Sequence, residues 1–393
     1  MNDSNSSQDW DPLDPETIRD PHSAYRKLRE QCPVAHSDQW NGFGALTKYD
    51  DIIAAASDAR TYINSVQNVV PAVGYGKRIP LHSDPPDHTH YRHAMQAPFD
   101  EKHIATFEPA IRQITLSLLE PLIANGNGDA VRDFTRTFPL FVFCEFFHIP
   151  REYALPIKEH AERYALALHA TDYATLGIES EALYDIARQY VAARQAAPLD
   201  PKRDVTSALL AARIDGKPIS DEIIVGAVRQ LIVAGHLAPT HAIASAIFHL
   251  ATHPDLQDHL RREPARIPDA VEEVLRFYSP TRAFARTTTR PVEIRGRQID
   301  QDQVVALIWI SANRDADIFP HPDEFDPERH PNKHIAFGHG THKCLGAALA
   351  RLEMRIALEE WLARTKNFAL AGSVAWADWP EYGPTVLPIR IKK

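Results

Sequence analysis

FGHGTHKCLGAALARLE, from Phe337 to Glu353, sets Cys344 behind two glycines and ahead of an apolar repeat. Gly338 and Gly340 open backbone conformations closed to other residues, so this segment can wrap closely round a flat ligand. After the cysteine, Leu345, Ala348, Leu349, Leu352 and Ile356 recur at helical spacing, with Arg351 and Arg355 on other faces. Cys344 therefore stands at the mouth of a helix, where partial positive charge and unpaired N–H groups favour a thiolate and can hydrogen-bond its sulfur. A lone cysteine is usually a packing residue. A sulfur held in this way can instead ligate a metal.

The rest of the chain bounds what such a metal could serve. Its 393 residues carry 44% hydrophobic and 24% charged side chains, the balance of a globular protein with an ample core. A net charge of -9 with no basic tract argues against nucleic acid, whose phosphates demand clustered Lys and Arg. No apolar run is long enough to suggest a bilayer span, and the start, MNDSNSSQDWDPLDPE, is acidic and polar without a signal-peptide core. A cytoplasmic protein with no membrane partner is expected. Cys32 and Cys144 are the other two cysteines, expected to be reduced packing residues and not a disulfide framework.

No repeat or Gly/Ser linker divides the chain, and the 30 prolines punctuate periodic segments. Residues 1–13 are expected to form a disordered tail and 14–393 a single domain. Pro21 to Cys32 reads as a short helix, Gly44 to Tyr49 as a strand, and Asp50 to Ala56 as a helix. The stretch TYINSVQNVVPAVGYGKRIPLHS, Thr61 to Ser83, loses helical periodicity while keeping apolar side chains, which suits a loop with a binding task. Helices are expected at about 101–124, 130–147, 151–168 and 178–194. The phenylalanines between Phe134 and Phe147 read as core packing.

HSDPPDHTHYRHAMQAPF, His82 to Phe99, predicts a helix entered through Pro85 and Pro86 with Asp84 as cap. His88 and Arg92 share one of its faces; spacing alone suits a solvated pair. The longest predicted helix runs from Ser220 to His249, about 45 Å at about 1.5 Å per residue. Pro239 in its interior has no N–H for the Gly235 carbonyl, so a kink is expected, with room for a ligand beside Ala234 and Gly235. Glu273 and Arg276 meet at i and i+3 as a strong carboxylate–guanidinium pair. Val292 to Ile294 and Val304 to Ile308 read as strands.

The run Phe337-Gly338-x-Gly340-x-His342-x-Cys344-x-Gly346 resembles the haem-binding loop of the cytochrome P450 family. The resemblance extends from about Asp14 to the end, with motifs in the family's order. It implies a mainly α fold with a smaller β-rich side, a helical triangular prism around haem b. In that family the cysteine is the thiolate ligand of the iron, which favours O–O cleavage. By resemblance His88, Arg92, Arg286 and His342 would hold the propionates, and Glu273, Arg276 and Arg329 would close one structural network. Tyr164 to Gly177 would be the lid over the substrate channel, and Thr281 to Ala285 would line the pocket, with Arg282 a candidate for facing substrate.

The implied activity is that of a monooxygenase that hydroxylates or oxidatively dealkylates a small organic substrate using dioxygen. Electrons would come from a ferredoxin and its reductase, because no flavin or ferredoxin segment follows the haem part. The protein is expected to act as a monomer. Lys333, Lys343 and Arg351 would make the face near Cys344 locally basic for docking. One segment departs from the family: the acid and threonine that manage protons for dioxygen are replaced by Leu237 and Ala238. Thr240 lies two residues on, about 200° round an ideal helix, and would stand in only if the kink rotates it back. His236 and His241 are alternative proton carriers. A peroxide-driven or non-monooxygenase haem–thiolate protein is the competing reading.

Overall fold

The computed structural model describes residues 8–72 and 78–392. Its centre is a pair of helices, Asp221–Ala234 and Leu237–Thr252. Asp221 and Glu222 in the first turn complement the helix dipole, and Ile224, Val228 and Ile232, four apart, are buried along one face. In the second helix Ala242, Ile243, Ala244, Ser245, Ala246 and Ile247 are all buried, as befits a helix surrounded by other elements. Among the described residues only Asp221–Thr252 is long and apolar enough to cross a bilayer, and 50% of its apolar window is buried inside the molecule.

The expected kink differs in position and cause. The chain leaves helical geometry at Gly235–His236, where His236 has φ -111° and ψ -57°, and Pro239 falls in the first turn of the restarted helix. A first-turn N–H has no partner within its helix, so proline costs little there. Prolines mark other unexpected boundaries in the same way. The 101–124 helix divides into Glu101–Ala105 and Glu108–Asn125, and the 130–147 helix into Val131–Thr135 and Phe138–Phe146, with Pro109 and Pro139 in the opening turns. Asp84 caps nothing; its carboxylate accepts from the Asn64 and Ser65 N–H groups.

Around the central pair lie Ala154–His169 and Tyr173–Ala196 on one side. On the other lie Glu108–Asn125, Ile267–Tyr278 and Ala347–Arg364, the helix that follows Cys344. The β-rich side is a five-stranded sheet in the order Val34–Ser37, Phe43–Leu46, Val304–Ile308, Ala283–Thr288, Tyr62–Ile63. Val305 pairs in parallel with Gly44 and antiparallel with Arg286, so the sheet sets Arg286 in register. A three-stranded sheet joins Asn127–Asp129, Pro388–Lys392 and Asn367–Leu370.

Part of the stretch expected as a tail is packed on the fold. Trp10 is buried against Tyr25, Phe43 and Trp379, with ring centroids 5.8, 6.1 and 5.8 Å away, and residues 1–7 lie outside the described residues. The predicted ion network is present: Glu273 and Arg276 are fully buried and paired through two bonds of 2.8 and 2.7 Å, with Arg329 at 3.2 Å and Asn332 at 3.1 Å. Arg276 also donates to the carbonyls of Asn313, Pro322 and Glu324, tying the helix to the loop that leads to Cys344.

Candidate active site

The segment before Cys344 is held by its backbone. Gly338 and Gly340 both have φ +70°, and a Cβ at Gly340 would lie 2.1 Å from the Ala56 carbonyl oxygen. Only glycine lets this turn rest on the Tyr49–Ser57 helix. The Cys344 N–H then donates to the Phe337 carbonyl at 2.8 Å. Arg351 lies over the Phe337 ring at 4.5 Å and pairs with Glu272.

Gly346 caps the helix and Ala347 is its first residue, so Cys344 precedes the helix and does not open it. One backbone donor, the Gly346 N–H, reaches the sulfur. Burial consequently pushes the thiol up, against the pull of that N–H and of Arg92, Arg351 and Lys343. The pull toward thiolate expected at the helix terminus is thus outweighed by burial. The Cys344 side chain is deep in the protein yet exposed, because it opens onto an internal cavity of about 400 Å³.

Several basic side chains line that cavity, four of them from the expected propionate set. His88 and Arg92 come from the Asp87–Gln96 helix, Arg286 from the Ala283–Thr288 strand, and His342 from the turn before Cys344. Neither arginine pairs with a carboxylate among the described residues, and Arg286 bonds only the Ala285 carbonyl, at 2.7 Å. Burial draws Arg286 down to about 10, and burial with neighbouring cations draws His88 to about 4 and His342 to about 2. The Nε2 atoms of His88 and His342 are buried without partners. Unpartnered buried ring nitrogens and unpaired cations around an apolar cavity are costly unless an anion meets them.

No cluster of three or more His, Cys, Asp or Glu among the described residues could hold a metal. A single thiol, an apolar cavity and unpaired cations fit a macrocycle that brings its own nitrogen ligands and two carboxylates, as haem does. Phe337, Gly338 and Gly346 line the same cavity.

Ala234, Gly235, Leu237, Ala238 and Pro239 line the face built by the central helices. Thr240 and His236 do not, which corrects their expected roles. The Thr240 hydroxyl is within bonding distance of the carbonyls of Thr135, at 3.0 Å, and His236, at 2.8 Å, because the helix restarts before Pro239 and turns residue 240 into the core. His236 Nε2 lies 2.9 Å from the Arg136 carbonyl. Gly235 keeps its place for a packing reason: a Cβ there would come within 2.5 Å of the Phe143 ring. Arg282 faces neither substrate nor solvent; it bonds the Glu381 and Ala377 carbonyls. Thr281, Ala283 and Phe284 do line the cavity, as do Tyr164 and Leu168 of the expected lid and Asn64, Asn68, Val69, Val70 and Leu81 of the 61–83 loop. Arg78 and Gln230 are lining residues with no motif to announce them.

A profile described as Cytochrome P450 matches residues 179–368. Cytochrome P450 130 of Mycobacterium tuberculosis is 32% identical over 392 residues, covering 96% of this chain and 96% of its own. Cyclomarin C epoxidase CymV of Salinispora arenicola is 30% identical over 388 residues, covering 94% and 96%. The solved structure of PksS, the cytochrome P450 of the Bacillus subtilis bacillaene polyketide synthase, superposes with a TM-score of 0.89 at 26% identity, covering 98% of this chain and 100% of that one.

Proposed function

The chain belongs to the cytochrome P450 family, and from that premise we propose that Cys344 is the protein's ligand to haem iron and that the cavity it faces is where an organic substrate is hydroxylated or oxidatively dealkylated. The protein is a cytochrome P450 monooxygenase with haem b as cofactor, and it requires an organic substrate, dioxygen and a source of electrons. Bound haem would supply the reductive activation of dioxygen and the transfer of one oxygen atom.

The chain's own residues supply the rest. Cys344 brings the sulfur, while the Gly346 N–H and the nearby cations stabilise its negative charge. Arg92 and Arg286 would receive the two propionates as charged forks, with His88 as a neutral donor; His342, whose ring N–H is held by the Ser83 carbonyl, would donate from Nε2 only once a propionate favours its protonation. Ala234, Leu237 and Ala238 form an apolar wall that limits water and leaves orientation to substrate shape. No side chain at 237 or 238 can hold a proton, so protons reach the cavity through ordered water or the substrate's own polar group.

Electrons come from a ferredoxin with its reductase, docking near the exposed Lys333 and Lys343. Arg351 contributes less than its sequence position suggests, because Glu272 takes up its charge. We place the protein in the cytoplasm as a monomer.

The observation that carries this reading is the Cys344 thiol opening onto a cavity that His88, Arg92, Arg286 and His342 also line. Cys344→Ser should abolish the red-shifted absorbance of the reduced carbon monoxide complex; an unchanged spectrum overturns the assignment. A second reading, peroxide-driven turnover, is favoured by Leu237, Ala238 and the inward turn of Thr240, since peroxide brings its own protons. Product formation with ferredoxin and reductase, compared with hydrogen peroxide alone, decides between them.

A further inference from the structure

Arg229 is 1% exposed and makes no ion pair among the described residues. A guanidinium carries five N–H donors. Here one bond is made, Nη2 to Ser180 Oγ at 3.1 Å, while Nε and Nη1 are buried without acceptors. The charge lies over the rings of Tyr164 and Tyr184, 4.6 and 5.6 Å from their centroids. Aromatic faces attract a cation but do not neutralise it, and burial pushes the Tyr184 hydroxyl further up and so keeps it protonated. Other buried arginines are better supplied: Arg276 has a carboxylate and three carbonyls, and Arg282 has two carbonyls, where Arg229 has a single hydroxyl. A cation left in this state implies an anion from outside the chain.

The cavity brings such an anion within reach. Tyr164, on whose face Arg229 lies, lines it, as does Gln230, the next residue, whose Oε1 has no donor. Arg78, 6% exposed, lines the same region, with its Nη2 3.0 Å from His82 Nε2. Tyr164 links the two arginines: its ring lies under Arg229 and its side chain hydrogen-bonds Arg78. They are a different pair from Arg92 and Arg286, which come from the Asp87–Gln96 helix and the Ala283–Thr288 strand. Val69, Val70, Leu168 and Leu231 give the same cavity apolar lining.

We propose that the substrate is an amphipathic carboxylate whose anionic end is received at Arg78, with Arg229 behind Tyr164 as the positioning charge, and whose apolar body extends from there toward Cys344. This rests on the monooxygenase site described above. Two matched pairs test it on the holoenzyme: decanoate with decanol, and 4-ethylbenzoate with 4-ethylbenzyl alcohol. Dissociation constants are read by calorimetry and by the shift of the haem absorption. In at least one pair the acid should bind at least about tenfold tighter than the alcohol. That preference should fall below about threefold in Arg78→Gln and in Arg229→Met, and persist in Arg229→Lys, which keeps the charge.

Equal binding of acid and alcohol in both pairs, binding of none of the four, or a preference that survives Arg78→Gln or Arg229→Met overturns the proposal. A purely structural Arg229 would lower thermal stability in Arg229→Met without moving the preference. Calorimetry reads the preference independently of the haem band. Loss of the Cys344-dependent spectrum therefore counts against the site, and loss of the preference counts against the carboxylate.

Discussion

The imidazoles of His88 and His342 face one another with ring centroids 4.2 Å apart, and each keeps a buried Nε2 without a partner. One ring comes from the Asp87–Gln96 helix and the other from the turn before Cys344, so the pair ties two motifs into one site. Both are held neutral at pH 7, His88 chiefly by burial and then by Arg92. His88→Phe keeps the ring and removes the nitrogens. A hydrogen bond to a charged group contributes about 1.5–3 kcal/mol, so haem should transfer to excess apomyoglobin at least about tenfold faster. A rate unchanged from wild type removes His88 from the propionate set.

Glu272 gives a pH-dependent test of the surface beside the cysteine. Burial disfavours its ionisation, but bonds from Arg351 at 2.6 and 2.8 Å and from His334 at 3.0 Å outweigh this and bring it to about 2. A depressed carboxylate stabilises the fold above its unfolded value of about 4.3, and the contribution is lost as pH falls toward the folded value. Glu272→Gln should cost about 1–2 kcal/mol at pH 7. The gap between variant and wild type, measured by denaturant unfolding, should narrow below about pH 4.5. A gap that stays constant down to pH 3 contradicts the ion-pair account.

Gly235 is required by a neighbour and not by its own backbone, whose φ of -77° any residue adopts. Gly235→Ala would set a Cβ 2.5 Å from Phe143 Cδ2 and 3.1 Å from Cε2. Overpacking of this kind costs about 1–3 kcal/mol. Phe143→Leu in the same chain should recover most of the loss in thermal unfolding. Absence of recovery would place the constraint elsewhere, for instance at the Leu231 carbonyl 3.2 Å away.

These residues show what the sequence could and could not convey. The Cys344 loop, the His88–Arg92 pair and the Glu273–Arg276 pair could be located because each is local: spacing places its members on one turn or one helix face, while their expected roles came from the family resemblance. Arg78 and Arg229 were not legible as a pair, since they come from the 61–83 loop and a central helix and are linked through Tyr164 of a third element. Trp10 was hidden by its polar surroundings in sequence, while its partners Phe43 and Trp379 lie in distant segments. Thr240 was misread because its direction depends on where the helix restarts. Proline suggested a break at 239, whereas a proline in the first turn of a helix forces none.

That restart leads to a prediction at Ala238. Thr240 is 6% exposed, and its single hydroxyl proton is shared between the Thr135 and His236 carbonyls, away from the cavity. Thr240→Ala should therefore cost about 1 kcal/mol of stability and leave the fraction of electrons recovered in product unchanged. Ala238 does line the cavity, at the position where the family carries its threonine. Ala238→Thr adds a hydroxyl there that can donate to a guest molecule or fold back on the Ala234 carbonyl four residues earlier. If proton supply limits coupling, Ala238→Thr should raise product formed per reducing equivalent by at least about twofold, with no gain when hydrogen peroxide is the only oxidant. Coupling that falls in Thr240→Ala while Ala238→Thr changes nothing would mean that substrate turns residue 240 outward, and the proton route would then run through the restart itself.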